Sequence, residues 1–314
     1  MGKTAFLFPG QGSATVGMGR DLVASSPAAA GVWAEISAAL PELPRRCFDG
    51  PLAELVETAN AQPAIFAVDC ACLAALADAG LTPDVVAGHS LGEYAALVAA
   101  GALTLAEALP LVRARAHAMQ AACARPGNML AVTGLAAEMV EALVAGWDGE
   151  GILSVANYNS PGQIVVAGDR DAVRAAAPRF AEAGARVTEL VVGGAFHSPL
   201  MEPAQPLFLP ALERAPLHDA RLPVVSNTSA RPTTAAEELR AALRTQIVGS
   251  VRWEQSIDAM LDLGVDTFVE VGPGRALGGL VRRAAQKRDA RPRLLNVEDG
   301  ASLAKTIAAL RGEA

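Results

Sequence analysis

Val85-Val86-Ala87-Gly88-His89-Ser90-Leu91-Gly92-Glu93-Tyr94-Ala95-Ala96-Leu97 decides how the rest of the chain is read. A short apolar run meets a turn with glycine two residues to either side of a serine, and a helix-forming run follows. Between a strand and a helix, Gly-x-Ser-x-Gly is a nucleophile elbow. Such a turn is too tight for a Cβ at Gly88 or Gly92. It lifts the Ser90 hydroxyl to the carboxyl end of the strand, above the N-terminus of the next helix. Free N–H groups and the helix dipole favour developing negative charge there.

Upstream of the elbow, residues 4–8 (Thr-Ala-Phe-Leu-Phe) form an apolar strand that runs into Pro9-Gly10-Gln11-Gly12-Ser13. This loop is no dinucleotide fingerprint, because Thr15 stands where a third small residue is needed, and Gly2-Lys3-Thr4 lacks the loop of a phosphate-binding site. Next to an elbow, it can instead donate a backbone N–H to an oxyanion. Residues 21–60 read as helical pieces broken by Pro41 and Pro44, and Gln62-Pro63-Ala64 opens a long helix with proline in its first turn. Thr104 starts another helix, which carries Arg113, Arg115, His117 and Met119.

After Pro126-Gly127 the rhythm changes. Strands at 129–132, 153–156, 163–167 and 186–192, with helices at 138–145 and 169–183, give the order β-α-β-β-α-β of the ferredoxin-like motif, with Asn159-Ser160-Pro161-Gly162 as its turn. Residues 128–195 therefore read as a small insertion between 1–127 and 196–314. Strands at 222–226 and 266–271 and a helix at 235–246 complete an α/β chain with a mainly parallel sheet.

Composition narrows the class. At 314 residues, 52% apolar and 19% charged, the chain buries a full core, and its net charge of −7 argues against nucleic acid. No uninterrupted apolar run reaches membrane-spanning length and no signal peptide is recognisable, so a cytoplasmic protein with no membrane partner is expected. Cys47, Cys70, Cys72 and Cys123 form no C-x-x-C pair and have no histidine at metal spacing. Free thiols, no disulfide and no metal are expected.

A serine nucleophile needs a base. His89 adjoins Ser90, where elbow side chains diverge, and is read as support for the turn. His218 lies in a polar stretch, and His117 faces away from Arg115. His197, behind Gly193-Gly194, is the best placed, with the others left open.

Phe8-Pro9-Gly10-Gln11-Gly12-Ser13, Gly88-His89-Ser90-Leu91-Gly92-Glu93-Tyr94, Ala195-Phe196-His197-Ser198 and Val269-Glu270-Val271-Gly272-Pro273-Gly274 occur in this order and, taken together, resemble the malonyl-CoA:acyl-carrier-protein transacylase family. The resemblance spans essentially the whole chain. It implies an α/β-hydrolase-like large domain with a ferredoxin-like insertion. It also implies Ser90 as nucleophile, His197 as base and the N–H groups of Gln11 and Leu91 as the oxyanion hole. Arg115, in Arg115-x-x-x-Met119-Gln120, would grip a free carboxylate on the acyl group beside Met119. Gln246 would orient His197 through its main-chain carbonyl, and Asn159 would lie near the substrate. Phe196 matches the malonyl-selective form, in which a phenyl ring fills the volume of an α-methyl group. Ala14 and Thr15 depart from the family by lacking bulk beside the oxyanion loop, which leaves a larger acyl group open.

The expected reaction moves malonyl from malonyl-CoA to the phosphopantetheine thiol of an acyl carrier protein through an acyl-serine, with ping-pong kinetics and no bound cofactor. Coenzyme A and phosphopantetheine arrive with the substrates. No carrier attachment motif is present, so the carrier is expected to be a separate protein and the enzyme a monomer, serving fatty-acid or polyketide synthesis. Two other readings are an editing thioesterase on the same scaffold and a non-catalytic carrier-docking protein. Arg115 argues against the first and the intact Ser90, His197 and Gln11 set against the second. Arg282, Arg283, Lys287, Arg288, Arg291 and Arg293 form a basic cluster, read either as a carrier dock or as a solvated helix end.

Overall fold

The structure is a computed structural model and describes residues 2–313. The strands are β1 (Lys3–Phe8), β2 (Val85–Gly88), β3 (Gly127–Thr133), β4 (Leu153–Ser160), β5 (Gln163–Asp169), β6 (Arg186–Glu189), β7 (Val224–Val225), β8 (Pro232–Thr233), β9 (Val251–Arg252), β10 (Val265–Val271) and β11 (Arg293–Val297). They form two sheets. The larger has the order β11-β10-β1-β2-β7-β8, parallel from β11 through β7. Only β8 runs antiparallel, against β7.

Central β1 shows why this sheet is buried on both faces. Ala5, Phe6, Leu7 and Phe8 are fully inaccessible. Alternation along a strand sends Phe6 and Phe8 into one apolar cluster, and Ala5 and Leu7 into another with Trp253 and Ile257. A near-continuous apolar run is the signature of a parallel strand covered on both sides.

On the first face lies the helix Thr58–Asp78. It begins a turn earlier than Gln62-Pro63 suggested, so Pro63 lies inside the helix and deletes one backbone hydrogen bond. No uninterrupted apolar run of membrane-spanning length occurs in it, since Asp69 breaks the stretch, but averaged over its length the helix is apolar. This helix is long and apolar enough to cross a bilayer, yet 78% of its apolar window is buried in the protein. It is a core helix, packed closely through its many alanines. Pro44 likewise sits in the first turn of the helix Leu43–Asp49 and begins it, where a break was expected.

The smaller sheet has the order β6-β3-β5-β4-β9. Its first four strands pair antiparallel, and β9 joins β4 in parallel from outside residues 128–195. The helices Ala137–Ala145 and Arg170–Glu182 contribute Val140, Val173 and Phe180 to a third apolar cluster with Leu130, Val132, Ile164 and Val166. Strand β4 extends through Ser160, so Asn159 is a strand residue and only Pro161-Gly162 turns. The strand expected at 222–226 shrinks to the two residues of β7, and that expected at 186–192 to β6. Strand β11 and the helix Gly300–Arg311 were not anticipated.

Candidate active site

Strand β2 delivers Ser90 at φ 54°, a left-handed conformation that costs a non-glycine residue about 1–3 kcal/mol. The glycines around it are required by contact. A Cβ on Gly88 would lie 1.9 Å from the carbonyl carbon of Gly92, and one on Gly92 would lie 2.1 Å from the Phe8 carbonyl oxygen. Gly10 closes the loop after β1 on the same principle, since its Cβ would meet the His89 carbonyl oxygen at 2.5 Å. Asn227, just past β7, clamps the strained turn. Its Oδ1 accepts the Ser90 N–H at 2.6 Å and its Nδ2 donates to the Gly88 carbonyl at 2.6 Å. His89 turns away from the nucleophile, hydrogen-bonds Asn159 Oδ1 at 2.9 Å and packs edge-on against Trp253.

Ser90 Oγ lies 2.7 Å from His197 Nε2. His197 is buried and also left-handed, at φ 57°. Its Nδ1 faces the main-chain carbonyls of Gln246 at 2.9 Å and Gly249 at 3.2 Å. Carbonyls only accept, so Nδ1 carries the proton and the Nε2 lone pair is aimed at the serine hydroxyl. Two carbonyls thus stand where a catalytic triad has its carboxylate. Burial, and then the nearby Arg115 charge, push the imidazole pKa down to about 3. At neutral pH the base is unprotonated.

Arg115 comes from the helix Leu105–Ala122, whose start is fixed by a Thr104–Glu107 capping box. The guanidinium is 1% exposed. Its Nη1 donates to Gln62 Oε1 at 2.7 Å, and its Nε and Nη2 donate to Gln246 Oε1 at 3.3 and 3.0 Å. Nη2 also donates to Ser90 Oγ at 3.0 Å, and the Tyr94 ring covers the group at 5.5 Å. Amides, a hydroxyl and a π face hold this cation. Among the described residues, no carboxylate pairs with it directly. Four of its five N–H groups are used, which leaves one Nη1–H on a guanidinium whose Nη2 touches the nucleophile.

The other expected residues fall as follows. The N–H groups of Gln11 and Leu91 have no acceptor among the described residues. Gln11 opens a short 3-10 turn and its side chain donates to Thr58 Oγ1 at 3.0 Å, while Gln62 Nε2 reaches Gln11 Oε1 at 3.4 Å. Met119 is buried, with its sulfur 3.4 Å from Gln62 Nε2. Phe196 is buried in the main core beside His197. Asn159 Oδ1 contacts the ring of His89, the residue before Ser90. Ala14 packs on the core, whereas Thr15 lines a surface cavity of about 330 Å³ with Gly274, Glu298 and Asp299. His117 and His218 are exposed, and all four cysteines are free thiols.

The basic cluster does not support the carrier-dock reading. Strand β11 starts at Arg293 and runs parallel through the sheet to β2, whose carboxyl end carries Ser90. Arg293 therefore lies at the amino-terminal end of the strands, opposite the end that carries Ser90, with Arg288 and Arg291 in the segment leading to it. Lys287 pairs with Glu254, Arg288 with Asp262, and Arg293 caps the Ala309 carbonyl.

Asn227, Gln62, Gly249 and Glu93 are site residues that the sequence did not disclose. Glu93 was visible only as part of the elbow motif. In the structure it is buried, and its Oε2 accepts from Gln246 Nε2 at 2.5 Å.

With this geometry in hand, comparison with known proteins is direct. The acyl transferase domain family matches residues 5–304. The chain is 42% identical over 291 residues to the malonyl CoA-acyl carrier protein transacylase of Bacillus subtilis, covering 91% of this chain and 92% of that protein. It superposes on the crystal structure of FabD from Acinetobacter baumannii with a TM-score of 0.93 and 35% identity over 99% of both chains. It superposes equally well, with a TM-score of 0.92 and 36% identity over 99% of both chains, on a malonyl-transacylase solved in complex with its type II polyketide-synthase acyl-carrier protein.

Proposed function

The chain belongs to the acyl transferase domain family, and we propose that it carries malonyl from malonyl-CoA to the phosphopantetheine thiol of a separate acyl carrier protein. The observation that carries the substrate reading is Arg115, a buried cation with no carboxylate of its own, 3.0 Å from the nucleophile. A buried charge without a counter-ion is costly, and an acyl group ending in a carboxylate would neutralise it. A plain acyl chain would not.

Ser90 Oγ attacks the thioester carbonyl while His197 Nε2 takes its proton. The tetrahedral oxyanion sits against the N–H groups of Leu91 and Gln11, and losing one such donor typically costs about 3–4 kcal/mol. The intermediate expels the coenzyme A thiolate, which takes the proton back from His197, and O-malonyl-Ser90 remains. The carrier thiol then gives its proton to His197 and attacks the ester, and Ser90 leaves with that proton. Every proton and electron pair in this sequence is accounted for by Ser90, His197 and the two thiols, so no resident cofactor is invoked.

Carbonyl acceptors in place of a triad aspartate fit this substrate. They fix the tautomer but lend the imidazolium less charge stabilisation, and a thiolate leaves far more readily than an amine. The malonyl carboxylate also cancels the Arg115 charge, the second-largest cause that depresses His197, so the base is stronger in the complex than in the free protein.

The strand order β6-β3-β5-β4 supports reading residues 128–195 as a ferredoxin-like insertion. The parallel order through β2, with the elbow at its carboxyl end, supports a hydrolase-like large domain. A cytoplasmic, monomeric protein is proposed with them. Phe196 is assigned to exclusion of an α-methyl branch, and Met119 and Asn159 to the surroundings of the acyl group.

Incubation with a panel of acyl-CoAs, followed by intact-protein mass spectrometry, tests the reading. Malonyl should load on Ser90, persist in buffer and discharge to holo-acyl carrier protein. Rapid discharge to water without carrier would make the protein a thioesterase, and absence of an adduct would end the proposal.

A further inference from the structure

Gln246 is the hub of the site. Its main-chain oxygen holds His197 Nδ1 at 2.9 Å. Its side-chain Oε1 accepts from Arg115, and its Nε2 donates to the Ser90 carbonyl at 2.9 Å and to Glu93 Oε2 at 2.5 Å. An amide has two orientations. Turned over, Gln246 would set its NH₂ against the guanidinium and its oxygen against the Glu93 carboxylate and the Ser90 carbonyl. Both encounters are repulsive. Glu93 lies in the first turn of the elbow helix, 1% exposed, and so selects the amide orientation that Arg115 needs.

We propose that Glu93 is a positioning residue for acylation, acting through the Gln246 amide to align the Arg115 guanidinium for the acyl carboxylate and to steady the carbonyl that holds His197. The amide spacer has a purpose. A direct Glu93–Arg115 pair would spend the guanidinium fork that the acyl carboxylate requires. One amide between them keeps the carboxylate off the guanidinium, whose remaining Nη1–H stays open to the acyl carboxylate.

The groups facing Glu93 are Arg115 from the helix Leu105–Ala122, Gln246 from the helix Ala236–Gln246, and the Asn227 N–H and Ser226 from the segment after β7. Burial lifts the Glu93 carboxyl to about 7 against the pull of those four. The carboxylate form demands the Gln246 N–H most strongly, so alignment improves as pH rises through neutrality.

This inference rests on the proposed reading of Ser90, His197 and Arg115, and two experiments separate them. If the parent protein takes no malonyl on Ser90, the reaction assignment fails. If the parent is acylated, single-turnover acylation by malonyl-CoA is followed from pH 5.5 to 8.5 in the parent, E93Q and E93A. The parent rate should rise through about pH 7. E93Q, which can still accept from Gln246 but does not titrate, should lose that limb. E93A should lose roughly 10- to 100-fold in kcat/KM, because one of the two Gln246 Nε2 N–H groups is left without an acceptor. Thermal melts show whether each variant folds, and if E93A does not, the E93Q profile decides. A role confined to packing would lower Tm and leave the shape of the pH profile unchanged. A limb that persists in E93Q, or E93A acylating at the parental rate, overturns the proposal.

Discussion

Replacing Arg115 by alanine isolates what the buried cation does. In the free protein its guanidinium donates to Gln62, Gln246 and Ser90 from a fully buried position. On the proposed reading, the acyl carboxylate would take the spare Nη1–H and displace Ser90 Oγ from Nη2, a two-point charged contact. Removing one partner of such a buried pair costs about 3–5 kcal/mol. At 1.36 kcal/mol per decade, kcat/KM for malonyl-CoA should fall by roughly two to three and a half orders of magnitude. Acetyl-CoA should respond in the opposite direction. With no carboxylate to cancel Arg115, that charge opposes the imidazolium forming on His197, and its removal lifts the opposition. Arg115→Lys should resemble alanine with malonyl-CoA, because an ammonium cannot span two amides and a carboxylate. Quenched-flow acylation of Ser90, read by mass spectrometry with both acyl-CoAs, measures the pair of effects. If Arg115→Ala kept malonyl acylation within threefold of the parent, the carboxylate grip would be misassigned.

Asn227→Ala removes both clamps on a serine held at φ 54°. It should cost about 1–3 kcal/mol of stability and at least tenfold in acylation, and parental values of both would show that the elbow holds itself. Phe196→Ser should narrow the preference for malonyl-CoA over methylmalonyl-CoA, within the roughly 1–3 kcal/mol that one methyl commands, and unchanged competition kinetics would place the ring outside the acyl pocket. The pH dependence of stability has a definite sign at Glu270. Burial raises its carboxyl to about 7 even though it accepts the Leu277 and Gly278 N–H groups. The native state then holds a proton that the unfolded chain releases near pH 4.5, so the contribution is whole below that pH and is lost as pH rises through 7. Glu270→Gln should reduce the fall in Tm between pH 5 and 8 by an amount worth at most about 3 kcal/mol, and an equal fall in both proteins would contradict the assignment.

The sequence disclosed those parts of the site whose cause is local. Strands β1 and β2 are apolar runs, and the elbow is legible because Gly88 and Gly92 stand in one short pattern, Gly88 forced by Gly92 four residues on and Gly92 by Phe8 at the end of β1. His197 could be ranked above the other histidines from its small-residue loop. The residues that hold the site in register could not be ranked. Asn227, Gln62, Glu93 and Gly249 lie in four segments, and each acts across a separation that no local spacing records, whereas Gln246 was reached only through the family resemblance. Short strands failed for the same reason. Strands β7 and β9 have two residues each and exist because longer neighbours pair with them. Asn159 was misplaced because the turn was given two strand residues, Asn159 and Ser160, that belong to β4.

The network also explains why amides occupy positions where carboxylates would bind a guanidinium more tightly. A carboxylate at position 62 or 246 would satisfy Arg115 fully. The acyl carboxylate would then have to displace it, and that exchange gains little. Amide oxygens meet the directional needs of the guanidinium at 2.7 and 3.0 Å but leave its charge uncancelled. The free site is accordingly unsatisfied in one respect, its net charge, and that deficiency is complementary to the malonyl group. The same unbalanced charge weakens His197 until substrate arrives. On the proposed reading of Arg115, binding and base strength are coupled through one residue, and selectivity for a carboxylate should appear in the rate of acylation as well as in affinity.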